Sequence, residues 1–200
     1  MEVLCALSCA VIGIALMFAA AAGTLGMAGA TVKAAIDLPP QHNPGNTAQG
    51  ALPPGHVYDY VDDTLRPLTP EEEVRQIVEQ WLVGQGFAKS QIVVEYRVQM
   101  GSTKKFIDVG VFPPGRTHHQ DNLWIIIECK CRDVPMRKHD AGVAQLKSYM
   151  AACPNAEYGM WTNGSLHVVI KKVVVSGHVE YVGLDRFPTG LGHENENLQL

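Results

Sequence analysis

The spacing of the hydrophobic residues changes along the chain, and each spacing predicts a different element. Apolar residues between Val74 and Leu82 recur every three or four positions, which is typical of an amphipathic α-helix. The preceding Thr69-Pro70-Glu71-Glu72 has an N-cap residue, a proline in the first turn and a glutamate at the third helical position, the pattern of a capping box. Gly84 and Gly86 end the apolar period, so we predict a first helix between Pro70 and these glycines.

The rest of the chain contains further extended and helical patterns. Three runs rich in β-branched residues are bounded by Gly, Pro, Asn or Asp and predict strands: Ile92–Val98, Phe106–Phe112 and Leu123–Lys130. A second helix is predicted at His139–Ala152, and Asn163-Gly164 predicts the turn of a hairpin between Tyr158–Thr162 and Leu166–Val175. The order α-β-β-β-α-β-β predicts an α+β domain with a mixed sheet flanked by helices.

The apolar pattern divides the chain into four regions. Residues 1–33 form an apolar leader, and no charged residue lies between Glu2 and Lys33. Residues 34–66 are rich in proline and glycine and are predicted to be a linker. Residues 67–185 are the predicted folded domain, and residues 186–200 a flexible tail.

The leader has three interpretations. Residues 3–32 are long enough for a transmembrane helix, which needs roughly 20 apolar residues. The runs of alanine and glycine also suit a signal peptide, although Glu2 stands where a positive charge is usual. In the third interpretation the natural start lies downstream. An anchor would leave the folded domain in the cytoplasm, because Lys33 and Arg66 follow the apolar segment.

Charge and cysteine content narrow the function classes. Residues 89–138 carry nine basic and five acidic side chains, whereas the whole chain has a net charge of −4. A basic middle suits phosphate contact, although a solvated lysine-rich surface would look the same. The five cysteines do not have the spacing of a disulfide framework, which indicates a reducing compartment. Cys129 and Cys131 are separated by one residue, which is closer than the usual cysteine pair of a zinc site.

Three charged residues in predicted strands carry the chemical signal. Glu128 and Lys130 are two positions apart, so they share one face at the end of a very apolar strand. If the strand of Asp108 lies beside them, two carboxylates and a lysine meet. Carboxylates suit Mg²⁺, and a lysine beside them can hold the attacking water and offset charge in phosphoryl transfer. The alternative is a structural ion pair between Glu128 and Lys130.

Five stretches of the chain, which include Asp108, Glu128 and Lys130, together resemble the N-terminal nuclease domain of the R subunits of type I restriction enzymes, within the PD-(D/E)xK nucleases. The resemblance covers roughly 105 of the 200 residues, the size of one domain. The matching stretches occur in the same order as in the family: Pro67–Gln76, Phe106–Val109, Ile126–Lys130, Gln145–Tyr149 and Trp161–Gly164.

The resemblance implies roles for individual residues. It implies Asp108 and Glu128 as metal ligands, joined by a glutamate of the first helix, for which the helical wheel favours Glu71. It implies Lys130 as the catalytic lysine, and places Gln145 as a further catalytic residue with Tyr149 near the substrate. Within the basic middle, Lys104 and Lys105 are candidate substrate contacts.

The resemblance also implies a function: Mg²⁺-dependent hydrolysis of DNA, with Mn²⁺ as a substitute, and other restriction-system subunits as partners. No nucleotide-binding motif of the form G-x-x-x-x-G-K-[ST] occurs in these 200 residues. Two other classes stay open: a nucleic-acid-binding module that keeps the fold without cleavage, and a membrane-anchored interaction protein.

Overall fold

The computed structural model describes residues 33–38, 52–134 and 139–190. The predicted transmembrane or signal segment, residues 3–32, lies outside these ranges. Within the described ranges, no helix is both long enough and apolar enough to cross a membrane.

A short hairpin and the first helix begin the ordered domain. Strands β1 (His56–Tyr58) and β2 (Leu65–Pro67) pair antiparallel. Helix α1 (Pro70–Gly84) follows, and the Thr69 side chain accepts a hydrogen bond from the Glu72 N–H, as an N-cap residue does. The predicted capping box is only half formed, because the Glu72 carboxylate turns to Arg75 and Gln76 instead.

The main sheet has six strands, and their order in the sheet is their order in the chain. They are β3 (Ile92–Met100), β4 (Thr103–Val111), β5 (Ile125–Cys129), β6 (Tyr158–Thr162), β7 (His167–Val175) and β8 (His178–Leu184). All neighbours are antiparallel except β5 and β6, which are parallel and joined through helix α2 (His139–Ala152). A parallel pair needs such a crossover, because its strands must start at the same end.

The two helices cover opposite faces of the sheet. On the α1 face, Val74 and Val78 pack with Ile125 and Ile127. On the α2 face, Leu146 packs with Ile126 and other residues of a second core. Consecutive residues of β5 thus alternate between two buried cores, which explains why this strand is a continuous apolar run. The expected α+β architecture with a mixed sheet is confirmed.

The structure adds ordered segments where the sequence predicted a linker, and it adds one strand. The hairpin β1–β2 includes residues of the predicted linker, and Val57 in it is buried. Ala34 lies in the same segment, and its N–H donates a hydrogen bond to the His167 carbonyl. Strand β8 follows a turn at Ser176-Gly177 in which both residues have positive φ, the geometry of a tight hairpin. The sequence does not predict β1 and β2, because three residues each are too few to establish a period. It does not predict β8 either, a strand in which no residue is fully buried.

The first residues of the predicted tail, 186–190, are among the described residues. The Phe187 ring packs edge-on against Trp81 with ring centroids 4.8 Å apart. This contact joins residues after β8 to the α1 core. Residues 191–200 lie outside the described ranges.

Candidate active site

Strands β4 and β5 stop pairing where the acidic residues lie. Their antiparallel pairing ends at Val109↔Ile127. Just beyond it, Asp108 Oδ2 accepts a hydrogen bond from the Cys129 N–H at 2.7 Å. The carboxylate therefore takes the place that a carbonyl of the neighbouring strand would have if the pairing continued. It satisfies the Cys129 N–H, which would cost about 1–3 kcal/mol if it were buried without a partner. This bond fixes Asp108 beside the end of β5.

The end of β5 brings Glu128 and Lys130 to the same place. The Lys130 Nζ donates to Glu128 Oε1 at 2.8 Å and to the Cys129 carbonyl at 2.8 Å. It also lies 3.9 Å from Asp108 Oδ2. The structure thus brings together the three residues that the sequence singled out, and it does so through a lysine ammonium placed among the carboxylates.

A third carboxylate reaches the cluster from α1. Glu71 Oε1 accepts a hydrogen bond from Lys130 Nζ at 3.2 Å, and the Glu71 side chain is 47% exposed. The neighbouring Glu72 is buried and paired with Arg75, away from Lys130. Of these two glutamates, Glu71 is therefore the one beside Lys130. We use the name carboxylate cluster for Glu71, Asp108, Glu128 and Lys130.

Burial and mutual repulsion shape the electrostatics of the carboxylate cluster. Burial, reinforced by the charge of Asp108, raises the pKa of Glu128 to about 7. Burial also raises the pKa of Asp108 above its ordinary value, against the charge of Lys130. For Lys130, burial lowers the pKa, but the hydrogen bond and charge of Glu128 outweigh it and the pKa is raised. Lys130 is therefore a permanently charged donor at neutral pH.

The residues of the carboxylate cluster suit a hard cation. Glu128 Oε2 is buried and has no hydrogen-bond partner among the described residues. A buried carboxylate oxygen without a partner is costly, and a metal ion is one way to satisfy it. Oxygen donors are the ligands that Mg²⁺ prefers. In the described part of the chain no three His, Cys, Asp or Glu side chains converge as a ready-made metal-ligand group, and in the carboxylate cluster Lys130 Nζ stands between the acids.

Two predicted residues on α2 lie next to each other. Gln145 Nε2 donates to the Tyr149 hydroxyl at 3.0 Å. Tyr149 is buried, and burial raises its pKa, with smaller contributions in the same direction from the charges of Glu128 and Asp108. Gln145 is exposed and bonds Tyr149 rather than a carboxylate. It is one step removed from the cluster.

The two candidate lysines of β4 lie on opposite faces of the strand. Lys105 is paired in register with the buried Val98, and Lys104 with the exposed Gln99. Because side chains alternate along a strand, adjacent lysines cannot both face the carboxylate cluster. The sequence alone does not separate them, since both are basic and lie in the same run.

The sequence did not predict a second charged network beside the carboxylate cluster. Arg75 of α1 is buried and pairs with Glu72, and its Nη1 lies 3.0 Å from Glu95 Oε1. Arg66 of β2 contacts the same Glu95 at 2.8 Å and Asp59 at 2.8 Å. This network ties β1–β2, α1 and β3 together. In the sequence, the network is marked only by Arg75, which directly follows Val74, a residue of the apolar stripe of α1.

One solved structure resembles the chain. It is a fragment described as an HsdR subunit of a type I restriction enzyme from Vibrio vulnificus YJ016, with 23% sequence identity and a TM-score of 0.39. The alignment covers 60% of this chain and 24% of that one, so the chain spans about a quarter of its relative's length. No protein among those with curated descriptions matches.

The sequence profile of a protein family gives the clearer result. Residues 70–188, more than half of the chain, match the profile of the type I restriction enzyme R protein N terminus. The match starts at the first residue of α1 and extends past β8, so it contains every residue of the carboxylate cluster. The chain belongs to the family of type I restriction enzyme R protein N termini.

Proposed function

We propose that this chain hydrolyses phosphodiester bonds of DNA with Mg²⁺, as a nuclease of the PD-(D/E)xK type. One observation carries the proposal: three carboxylates surround a single lysine ammonium at 2.8, 3.2 and 3.9 Å at the end of an apolar strand. With all four groups ionised, one positive charge faces three negative charges. A divalent cation would neutralise the remainder, whereas a structural ion pair would need only one carboxylate.

Asp108 and Glu128 would hold the metal, with Glu71 as a third oxygen donor. Mn²⁺ also prefers oxygen ligands and would substitute. When bound, the ion supplies charge for the phosphate oxygens and lowers the pKa of a coordinated water. Two observations support this assignment. One Glu128 oxygen has no partner among the described residues, and a hydrogen bond from the Cys129 N–H orients Asp108.

Lys130 would act as a charged donor toward the attacking water and the scissile phosphate. Its raised pKa keeps the proton on Nζ, so it would orient the water and offset developing negative charge rather than accept a proton. Its three hydrogen bonds hold Nζ in one position before substrate arrives. The Tyr149 hydroxyl, oriented by Gln145, would contact the DNA beside the cluster, and Lys104 would contact its backbone.

The proposed partners follow from the reaction and from the family, and the proposed location follows from the cysteines. DNA is the proposed substrate, and other restriction-system subunits are proposed partners because of the family. A nuclease with reduced thiols suits the cytoplasm: the described cysteines, Cys129, Cys131 and Cys153, are free. The apolar leader, if it binds a membrane, would place the domain at the cytoplasmic side.

The experiment is plasmid cleavage by the full chain. We expect nicking or linearisation with Mg²⁺ or Mn²⁺, and none with EDTA. Asp108→Asn and Lys130→Met are expected to remove cleavage, and Asp121→Asn, which changes an exposed carboxylate on a surface turn, serves as the matched control. Cleavage that survives Asp108→Asn would contradict the proposal. Binding without cleavage by the wild type would support the non-catalytic module instead.

A further inference from the structure

An exposed aromatic ring lies on the same strand as the carboxylate cluster. Phe106 of β4 is 59% exposed, and Asp108 is two residues further on. Between them, Ile107 is fully buried in the core on the α2 face. Because neighbouring side chains on a strand point to opposite faces, Phe106 points away from that core. The alternation shifts at Asp108, since Val109 packs in the core on the α1 face although it lies two residues from Ile107. A phenylalanine ring this exposed contributes little to the packing of the domain.

Two cations flank the ring. Arg97 of β3 is the cross-strand partner of Phe106, and Lys104 lies two residues along β4 on the same face. Both are exposed. In contrast to Arg66 and Arg75, which carboxylates hold, neither has a carboxylate partner within the described ranges. These charges are available to a ligand.

We propose that Phe106, flanked by Arg97 and Lys104, is a stacking platform for an unpaired base of the DNA strand whose phosphate lies at the carboxylate cluster. This inference rests on the proposed function. Stacking on an exposed aromatic ring together with backbone contacts to cations is the general way in which proteins hold single strands.

The spacing along β4 suits a nucleic-acid strand. Two residues of a strand span roughly 7 Å, about the rise of two stacked nucleotides at roughly 3.4 Å each. A base on Phe106 would therefore lie about two nucleotides from the phosphate at Asp108, and Lys104 would reach a phosphate further along. A nucleic-acid strand that leaves the reaction centre along β4 would meet the ring with Arg97 beside it, and then Lys104.

The charges favour DNA over an apolar protein partner as the occupant. An apolar protein interface would surround Phe106 with further apolar residues. Its nearest neighbours on the same face are instead Arg97 and Lys104 in the register of the hairpin, with Gln99 opposite Lys104. Exposed arginine and lysine beside one aromatic ring complement a polyanion that carries flat bases.

The test is the affinity of the full chain for a short fluorescein-labelled single-stranded DNA, measured by anisotropy in EDTA so that no cleavage occurs. Phe106→Ala is expected to weaken binding about 5- to 150-fold, the usual effect of removing a stacking ring. Phe106→Trp is expected to retain or improve it. The matched control is Val174→Ala, because Val174 is 72% exposed on β7, at the other end of the sheet.

A second pair of variants separates charge from stacking. Arg97→Gln is expected to reduce the slope of log affinity against log salt by about 0.7, the value for one phosphate contact on a single strand. Lys33→Gln removes an exposed charge next to β7 and is expected to leave the slope unchanged. Melting temperatures of all variants are expected to match the wild type, since each side chain is exposed.

The outcomes distinguish the two proposals. Wild-type cleavage of plasmid combined with unchanged binding by Phe106→Ala would overturn the stacking platform and leave the nuclease proposal standing. Loss of affinity by Val174→Ala equal to that of Phe106→Ala would also overturn it. A wild type that neither cleaves nor binds DNA would overturn both.

Discussion

Replacing Glu128 with glutamine is expected to stabilise the metal-free protein at alkaline pH and to leave it unchanged in acid. Glu128 is buried, 2% exposed, and carries one oxygen without a partner among the described residues. Burial and the charge of Asp108 raise its pKa from 4.5 to about 7. At about 1.36 kcal/mol per pKa unit, ionising Glu128 in the folded state costs on the order of 3 kcal/mol.

The direction of the pH dependence follows from the sign of this shift. Because the pKa of Glu128 is higher in the folded state than in the unfolded chain, the folded state binds the proton more tightly. The resulting stability is fully present below about pH 4.5 and is lost as the pH rises through about 7. Glutamine mimics the protonated side chain, so the variant does not lose this contribution.

Thermal melting in EDTA at about pH 5 and about pH 8 measures the effect. At about pH 8 we expect the melting temperature of Glu128→Gln to exceed that of the wild type by about 6–12 °C, since 1 kcal/mol corresponds to roughly 2–4 °C for a chain of this size. At about pH 5 the difference should be small. A variant that melts below the wild type at the higher pH would show that the bond from Lys130 outweighs the burial of Glu128, and would refute the reasoning.

Two further predictions concern packing around the sheet. Gly142→Ala in α2 is expected to lower the free energy of unfolding by about 1–3 kcal/mol in urea titrations, because a Cβ at this position would overlap the buried Trp161 indole. Gly84→Ala at the end of α1, where a Cβ meets nothing within 4 Å, is the matched control and should be neutral or stabilising by up to about 1 kcal/mol. Lys172→Met should destabilise by about 1–2 kcal/mol in the same titration, because Nζ donates to the carbonyls of Met150, Cys153 and Pro154 at 3.1, 3.0 and 2.8 Å around the C-terminal end of α2. An unchanged midpoint for Lys172→Met would show that water replaces these bonds at no cost.

The elements with long periods could be predicted from the sequence. The apolar stripe and the following Pro154 predict the α2 bounds, His139–Ala152, as the structure has them. The shared position of Glu128 and Lys130 follows from alternation alone, because both lie at the end of one strand. Local rules therefore predict this half of the carboxylate cluster.

The way in which the distant parts meet could not be predicted. Asp108 approaches Cys129 because β4 and β5 stop pairing at Val109↔Ile127, and no local pattern marks that point. Glu95 has φ of +49°, and two arginines, Arg66 and Arg75, hold its carboxylate. A non-glycine residue in this conformation depends on contacts from distant segments. Long-range pairing, rather than propensity, sets both features.

The carboxylate cluster holds more negative than positive charge when all four of its side chains are ionised. Lys130 Nζ is 2.8 Å from Glu128, 3.2 Å from Glu71 and 3.9 Å from Asp108, so the contact with Asp108 is too long for a hydrogen bond. Burial raises the pKa of both Asp108 and Glu128, and the charge of Asp108 raises that of Glu128 further. A fold selected only for stability would replace one of these acids. The gain in stability expected for Glu128→Gln therefore measures the stability that the domain loses by keeping Glu128. Such a cost is typical of sites where function opposes stability.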